Sequence, residues 1–247
     1  MPVSGLLAAA SFASLNLCTD EYLLLLAKPQ EIASVSFLSQ DPQESSLWRV
    51  ARRHHSNRGS LEQVIGVRPK VVLTMGGGGR ASSLIARRLG ILTVDLRPVS
   101  AISDVAYNFR ATALALGDPD RAKPWLRRLQ RLQSTKPAES ADAIWVGGGG
   151  QTIGSPSIGA EWMRLAGLQQ RPLRGDRVSL ETLLVRPPEV LVQSRYRSGQ
   201  MSRGVAWLSH PIVRNTKSKR AEADGRAWTC MGPLVIAEVE RLRTASR

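Results

Sequence analysis

Two runs of four glycines, 76–79 and 147–150, each follow directly on a short apolar stretch. The first stretch is Val71-Val72-Leu73-Thr74-Met75 and the second is Ala143-Ile144-Trp145-Val146, and both read as buried strands. Glycine gives up more backbone freedom on folding than any other residue, so four in a row at a strand's carboxyl end mark a place where something must approach the main chain closely. In open α/β sheets that edge is where ligands sit. Gly76-x-Gly78-x-x-Ala81 also fits the looser dinucleotide fingerprint, whose backbone N–H groups receive a pyrophosphate at a helix start. Asp95, at the end of the next apolar run, is only loosely placed for a ribose contact. No P-loop lysine follows either run, which argues against nucleoside triphosphate hydrolysis.

The other reactive residue types do not assemble into a reaction centre. Residues 154–159, Gly-Ser-Pro-Ser-Ile-Gly, lack the spacing of a nucleophile elbow. The three histidines are His54, His55 and His210; the adjacent pair diverges on either a helix or a strand, so it does not build a metal cage. Two cysteines, Cys18 and Cys230, give neither a disulfide framework nor a CxxC motif. No catalytic residue, resident cofactor or metal site is assigned.

A chain of 247 residues suffices for one large domain or for two lobes of roughly 110–120 residues each. No apolar run approaches the ~20 residues needed to cross a bilayer as a helix. Lys and Arg number 34 against 20 Asp and Glu, a formal charge of +14. Such a surplus points to nucleic acid, an anionic ligand or acidic lipid. The basic residues are spread along the chain, at Arg52/Arg53, Arg87/Arg88, Arg127/Arg128/Arg131 and 217–220, with no helix-turn-helix, zinc-finger or RNP-like pattern. No nucleic-acid partner is expected. Residues 6–13 (LLAAASFA) look like the apolar core and small-residue end of a secretory signal, yet no basic residue precedes Lys28. Residues 1–10 are therefore read as a signal remnant whose true start lies upstream.

Strand-like and helix-like segments alternate. Ser11–Leu17 reads as a strand, followed by a helix to about Ala27 capped by Thr19 or Asp20 and closed by Pro29. Ile32–Phe37 reads as a strand, 39–46 as a polar loop, and 47–53 and 60–65 as short helices with Ser60 as N-cap. Strand Val71–Met75, a helix from Arg80 or Ala81 to Leu89 and strand Ile91–Asp95 follow. From Ser103 to about Gln133 the chain reads as helix, broken only at Gly117-Asp118-Pro119, where Asp118 caps and Pro119 takes the first helical position. The alternation restarts with a strand from Asp142 to Val146, helices 158–166 and 179–185, strand Val190–Gln193 and a final helix Leu234–Arg243. Residues 212–226 are poorly patterned. The pattern predicts an α/β protein: an amino-terminal lobe over 1–100, connecting helices over 101–137 that include a long rigid backbone helix, and a carboxyl-terminal lobe over 138–247.

Several segments, in order, resemble the solute-binding proteins of ABC importers for cobalamin and ferric siderophores. They are Ser14-Leu15-Asn16-Leu17-Cys18-Thr19-Asp20-Glu21; Asn57-x-Gly59-Ser60-Leu61-Glu62 with Val67-Arg68-Pro69-Lys70-Val71-Val72-Leu73; and Arg88-Leu89-Gly90-Ile91. Leu165-Ala166-Gly167-Leu168, Ser179-Leu180-Glu181 with Arg186-Pro187-Pro188-Glu189-Val190, and Trp228-Thr229-Cys230-Met231-Gly232-Pro233 complete the set. The resemblance covers roughly 11–243. It implies two Rossmann-like lobes with the ligand in a cleft between them, a periplasmic location, a monomer, and partnership with a permease and its ATPase. The cargo it implies is a bulky metal chelate, namely a corrinoid, haem or ferric siderophore, with no chemical step.

Carried over by position, the ligand-binding residues are Asn16, Cys18, Asp20, Phe37, His55, Asn57, Gly77, Gly78, Arg80, Gly148, Gly149, Gln151, Arg195, Tyr196, Trp228 and Cys230. Glu181 falls where a carboxyl-lobe acidic residue meets the permease, while Arg80 stands at the matching amino-lobe position. For Cys18 and Cys230 three readings stay open: small semi-buried residues, a cross-cleft disulfide, or a thiolate ligand to iron or cobalt. The glycine runs then mean room for a large ligand. The rival reading is a cytoplasmic NAD(P)-dependent enzyme of Rossmann type, favoured by the Gly76–Ala81 pattern.

Overall fold

The computed structural model describes residues 11–76, 80–197, 199–200 and 202–245. The chain begins with strand β1 (Phe12–Ser14), too short to fill the expected 11–17 because Asn16 ends it. The Asn16 Oδ1 accepts the N–H groups of Cys18 and Thr19, each at 3.0 Å, and so starts helix α1 (Leu17–Leu26) two residues before the expected cap. Then come β2 (Ile32–Ser36), α2 (Trp48–Ala51), β3 (His55–Asn57), α3 (Leu61–Ile65), β4 (Val71–Met75), α4 (Arg80–Arg88) and β5 (Leu92–Leu96). Strand β3 is absent from the sequence reading, since His-Ser-Asn carries no apolar alternation. Its backbone pairs with β2 all the same, Ser34 opposite His55 and Ser36 opposite Asn57.

The helical stretch is two helices, α5 (Ile102–Ala115) and α6 (Lys123–Ser134), broken where expected. Asp118 caps the short 3-10 turn Pro119–Ala122 through the N–H of Asp120, with Pro119 in first position. The second α/β run contains β6 (Ala141–Val146), α7 (Ile158–Leu165), β7 (Leu168–Gln170), α8 (Leu180–Val185) and β8 (Val190–Ser194). It continues through α9 (Arg203–Leu208), α10 (Pro211–Arg214), β9 (Lys219–Ala223) and α11 (Val235–Ala245). Strand β7 and helices α9 and α10 were not legible, and the poorly patterned 212–226 contains β9. Its sequence Lys-Arg-Ala-Glu-Ala buries only the alternate alanines, a two-residue period too faint to read unaided.

The chain forms two units. One takes in the described residues up to Pro98 together with Tyr107–Lys123; the other comprises Val99–Ala106 and Pro124 onward. The first has an all-parallel sheet in the order β3-β2-β1-β4-β5, the second an all-parallel sheet in the order β7-β6-β8-β9. In the first unit Phe12, Leu23, Val35 and Leu73 share one core cluster, and Ala13, Leu61, Val72, Ala86 and Ile91 share another. Adjacent residues of β1 and β4 fall in different clusters because side chains alternate across a strand. In the second unit Ile144, Val146, Leu183, Leu191 and Val213 form the corresponding cluster.

Candidate functional site

In both sheets the strand order reverses once, and in doubly wound folds the crevice outside that reversal takes ligands. The first sheet reverses between β1 and β4, which are followed by Asn16 and Gly76; the second between β6 and β8, which are followed by Gly147 and Arg195. Both glycine runs thus leave a strand beside a reversal point. Gly77 and Gly78 themselves lie outside the described residues.

At the carboxyl ends of β6, β8 and β9 the second unit carries a cavity of about 830 Å³, a size typical of small-molecule sites. Its lining combines the rings of Trp145, Tyr196 and Trp228 with Gln151, Arg177 and Arg197. The Trp145 and Trp228 rings lie 6.0 Å apart at 45°. Both indole N–H groups are buried and, among the described residues, neither has a hydrogen-bond partner. Arg197 sits over the Tyr196 ring at 5.3 Å. With Asp176 as the acidic member of the lining, the cavity carries more positive than negative charge.

A buried amide holds the mouth of this cavity. The Gln170 Oε1 accepts the Trp145 N–H at 2.9 Å, and its Nε2 donates to the Thr152 hydroxyl at 3.0 Å. The Thr152 hydroxyl in turn donates to the Trp145 carbonyl, so strand end, glycine loop and β7 are tied together. The loop pairs with 176–178: Thr152 N–H donates to the Asp176 carbonyl and Val178 N–H to the Gly150 carbonyl, both at 2.9 Å. Gly150 has φ +76°, and a Cβ there would stand 2.5 Å from the Val178 carbonyl oxygen. A Cβ on Gly148 would meet the Gly204 backbone of α9 at 3.4 Å, and one on Gly204 would meet Gly148 at 3.3 Å. The second glycine run therefore serves close packing of main chain on main chain as well as lining the cavity, a correction to its reading as ligand space alone.

The edge of the first unit is built differently. Asp20 is fully buried, and its carboxylate accepts the Ser36 N–H at 3.1 and 3.2 Å and the Ser36 hydroxyl. Burial, opposed by these hydrogen bonds, pushes its carboxyl up to about 7. Asn57 is equally enclosed: its Nδ2 donates to the Ser14 carbonyl at 2.9 Å and to the Ser34 hydroxyl at 2.8 Å, while its Oδ1 accepts the Gly59 N–H at 2.9 Å. What opens outward is a concavity of about 670 Å³ lined by Phe37, His55, Ser56, Asn57, Arg58 and Gln63. Phe37 is 49% exposed there. His54 is partly buried, and burial holds its imidazole below the usual range.

The residues expected at the site thus separate into groups. Phe37, His55 and Asn57 line the first unit's concavity; Gly148, Gln151, Tyr196 and Trp228 line the second unit's cavity. Asn16 gives its Oδ1 to the α1 cap and Asp20 has both oxygens engaged by Ser36, contacts that hold the fold. Gly149 is outside the cavity lining and hands its carbonyl to an Arg177 N–H at 2.8 Å. Arg195 faces elsewhere, paired with Glu222 beside Asp224, Arg226 and Arg241. Arg80 begins α4. Glu181 is exposed in the first turn of α8, where a hydrogen bond from Ser179 holds its carboxyl below the usual range. Neither Cys18 nor Cys230 is a free thiol, which removes the free-residue and thiolate-ligand readings.

Trp145, Arg177, Arg197 and Gln200 line the cavity without having been singled out from the sequence. Trp145 was legible only as a strand residue. Arg177 is brought in by a bridge to Gln151 that no local pattern announces.

A family model described as periplasmic binding protein matches residues 12–203. Among solved structures, the periplasmic haem-binding protein HutB of Vibrio cholerae superposes with a TM-score of 0.70 at 17% identity, over 96% of this chain and 98% of that one. A periplasmic haem-binding protein from Pseudomonas aeruginosa gives 0.68 at 18% identity, over 96% and 92%. The periplasmic vitamin B12-binding protein BtuF of Vibrio cholerae gives 0.64 at 18%, over 96% of each chain. These likenesses are of fold. No curated protein sequence matches the chain.

Proposed function

The chain belongs to the periplasmic binding protein family, and from that premise we propose that it is the substrate-binding component of an ABC importer, loading a bulky metal chelate outside the inner membrane. The carrying observation is the cavity of about 830 Å³ at the carboxyl ends of β6, β8 and β9, with its three aromatic rings beside Arg177 and Arg197. Flat conjugated ligands pack on such rings, and acidic groups on their periphery would take the arginine donors. Solved proteins of like fold bind haem or vitamin B12. Haem, a corrinoid and a ferric siderophore are accordingly the cargo classes we assign. The first unit's concavity, with Phe37 and His55, is the second surface we assign to cargo.

The protein acts by capture and delivery in the periplasm as a monomer, with no bond made or broken and no nucleic-acid partner. Its partners are the permease and ATPase, and Glu181 is the exposed acidic group we assign to permease docking. The rival NAD(P)-enzyme reading rests on the Gly76–Ala81 pattern alone, whereas the family match over residues 12–203 is to a binding-protein family.

Titration of intrinsic tryptophan fluorescence with haem, cobalamin, a ferric siderophore and NADH tests the reading. Saturable quenching by one of the metal chelates is expected; a response to NADH alone overturns it. Trp228→Phe shortens one of the three rings that line the cavity, so affinity for the responding chelate is expected to fall about threefold.

A further inference from the structure

Residues 63–94 contain no Asp or Glu but five basic residues, Arg68, Lys70, Arg80, Arg87 and Arg88. The same segment holds five of the eleven large apolar side chains that are exposed among the described residues: Ile65, Leu84, Ile85, Leu89 and Leu92. Leu84 is 63% exposed, Leu89 51% and Leu92 58%. Helices α3 and α4 pack on one core cluster through Val64 and Ala86, whereas Leu92 of β5 stands in register with Val71, whose side chain joins the cluster on the other face of the sheet. Over 84–89 only Ala86 is buried, leaving Leu84, Ile85, Arg87, Arg88 and Leu89 to solvent.

A contiguous run of exposed apolar side chains rimmed by charge marks an interaction surface. We propose that the α4 face of the first unit docks on an anionic lipid bilayer, with Leu84, Ile85 and Leu89 entering the interface and Arg87 and Arg88 meeting the headgroups. The charge decides the occupant. A second copy would set arginine against arginine, and a neutral surface would leave the basic rim without counter-charge, whereas a bilayer with acidic headgroups satisfies both components at once. Glu62 of α3 and Asp95 of β5 are the exposed acids that flank the segment, and the Asp95 carboxylate accepts the Thr74 hydroxyl at 2.7 Å. This docking does not depend on which cargo the protein carries.

Co-sedimentation of the full chain with phosphatidylcholine vesicles, and with vesicles in which about a third of the lipid is phosphatidylglycerol, tests it. Binding is expected on the acidic vesicles alone, weakening about tenfold or more as salt rises from about 0.05 to 0.5 M. Leu84→Ser with Leu89→Ser should lower binding at least about tenfold. Arg87→Gln with Arg88→Gln should erase the preference for acidic lipid. Leu184→Ser, an equally exposed leucine on α8 of the other unit, should change nothing. Thermal melts by circular dichroism monitor folding, and the charge variant carries the test if the serine variant melts early. Equal or no binding to the two vesicle types, or acidic-vesicle binding unaltered by the charge variant, overturns the proposal. So does a dimer in sedimentation velocity that the serine variant dissolves, which would give the face to a second copy.

Discussion

The two units use the same device, a parallel sheet with one reversal of strand order, and finish its carboxyl edge in opposite ways. In the first, the side chains that follow the strands turn inward: Asn16 caps α1, Asp20 holds Ser36, and Asn57 bridges Ser14 and Ser34. The exposed remainder is a concavity around Phe37 and His55. In the second, the polar network runs along the mouth, through Gln170 and Thr152, and leaves Trp145, Tyr196 and Trp228 around a larger cavity. Topology alone therefore fixes where a ligand could bind. The polarity of the first few residues beyond each strand decides whether that place becomes a polar core or an aromatic pocket.

The comparison breaks most sharply at Asp20. Its folded pKa, about 7, stands above the ~3.9 of an unfolded aspartate, so the folded state holds the extra proton. The stability this contributes is complete below about pH 4 and is lost as pH rises through 7, a difference of roughly 4 kcal/mol at the limit. Urea unfolding across that range should show the decline, and Asp20→Asn should flatten it; a wild-type profile already flat would remove the inward-facing carboxylate from the account. In the second unit the equivalent stress falls on the glycine loop. Gly150→Val must hold a β-branched residue at φ +76° against the Val178 carbonyl, and should lose about 3 kcal/mol in the same assay.

Cargo binding separates the units next. Tyr196→Ala is expected to weaken the responding chelate by about 2 kcal/mol, and Phe37→Ala by less than half of that, because the exposed ring of Phe37 excludes less water. Isothermal titration of both variants compares them directly, and a larger loss at Phe37 would invert the ranking. The smallest effect is that of Asn16→Ala. Loss of the cap should cost about 1 kcal/mol in unfolding while leaving affinity unchanged, and a large drop in affinity would restore Asn16 to the ligand.

Alternating apolar strands and amphipathic helices were legible wherever burial was strong: β4, β6 and β8 lie where their valines and leucines announce them. The strands missed, β3, β7 and β9, are short and polar, and exist because a neighbouring strand offers an unpaired backbone edge. The same division runs through the site. Trp228 and Tyr196 could be reached by following strand ends, and Trp145 stands at one too, whereas Arg177 could not, since its part depends on pairing with Gln151, 26 residues away. Arg195 shows the converse, a strand-end residue turned away by a nearby carboxylate.

By itself the sequence determined the layered α/β architecture, the helical break at Gly117–Pro119 and the two glycine runs at strand ends, because hydrophobic period and backbone permissiveness are local properties. Tertiary structure alone decided which polar groups point inward, that Gly148 and Gly204 press together, and that Leu84, Ile85, Arg87, Arg88 and Leu89 are left to solvent. Those outcomes depend on the desolvation of each group by residues distant in the chain, and no local pattern records it.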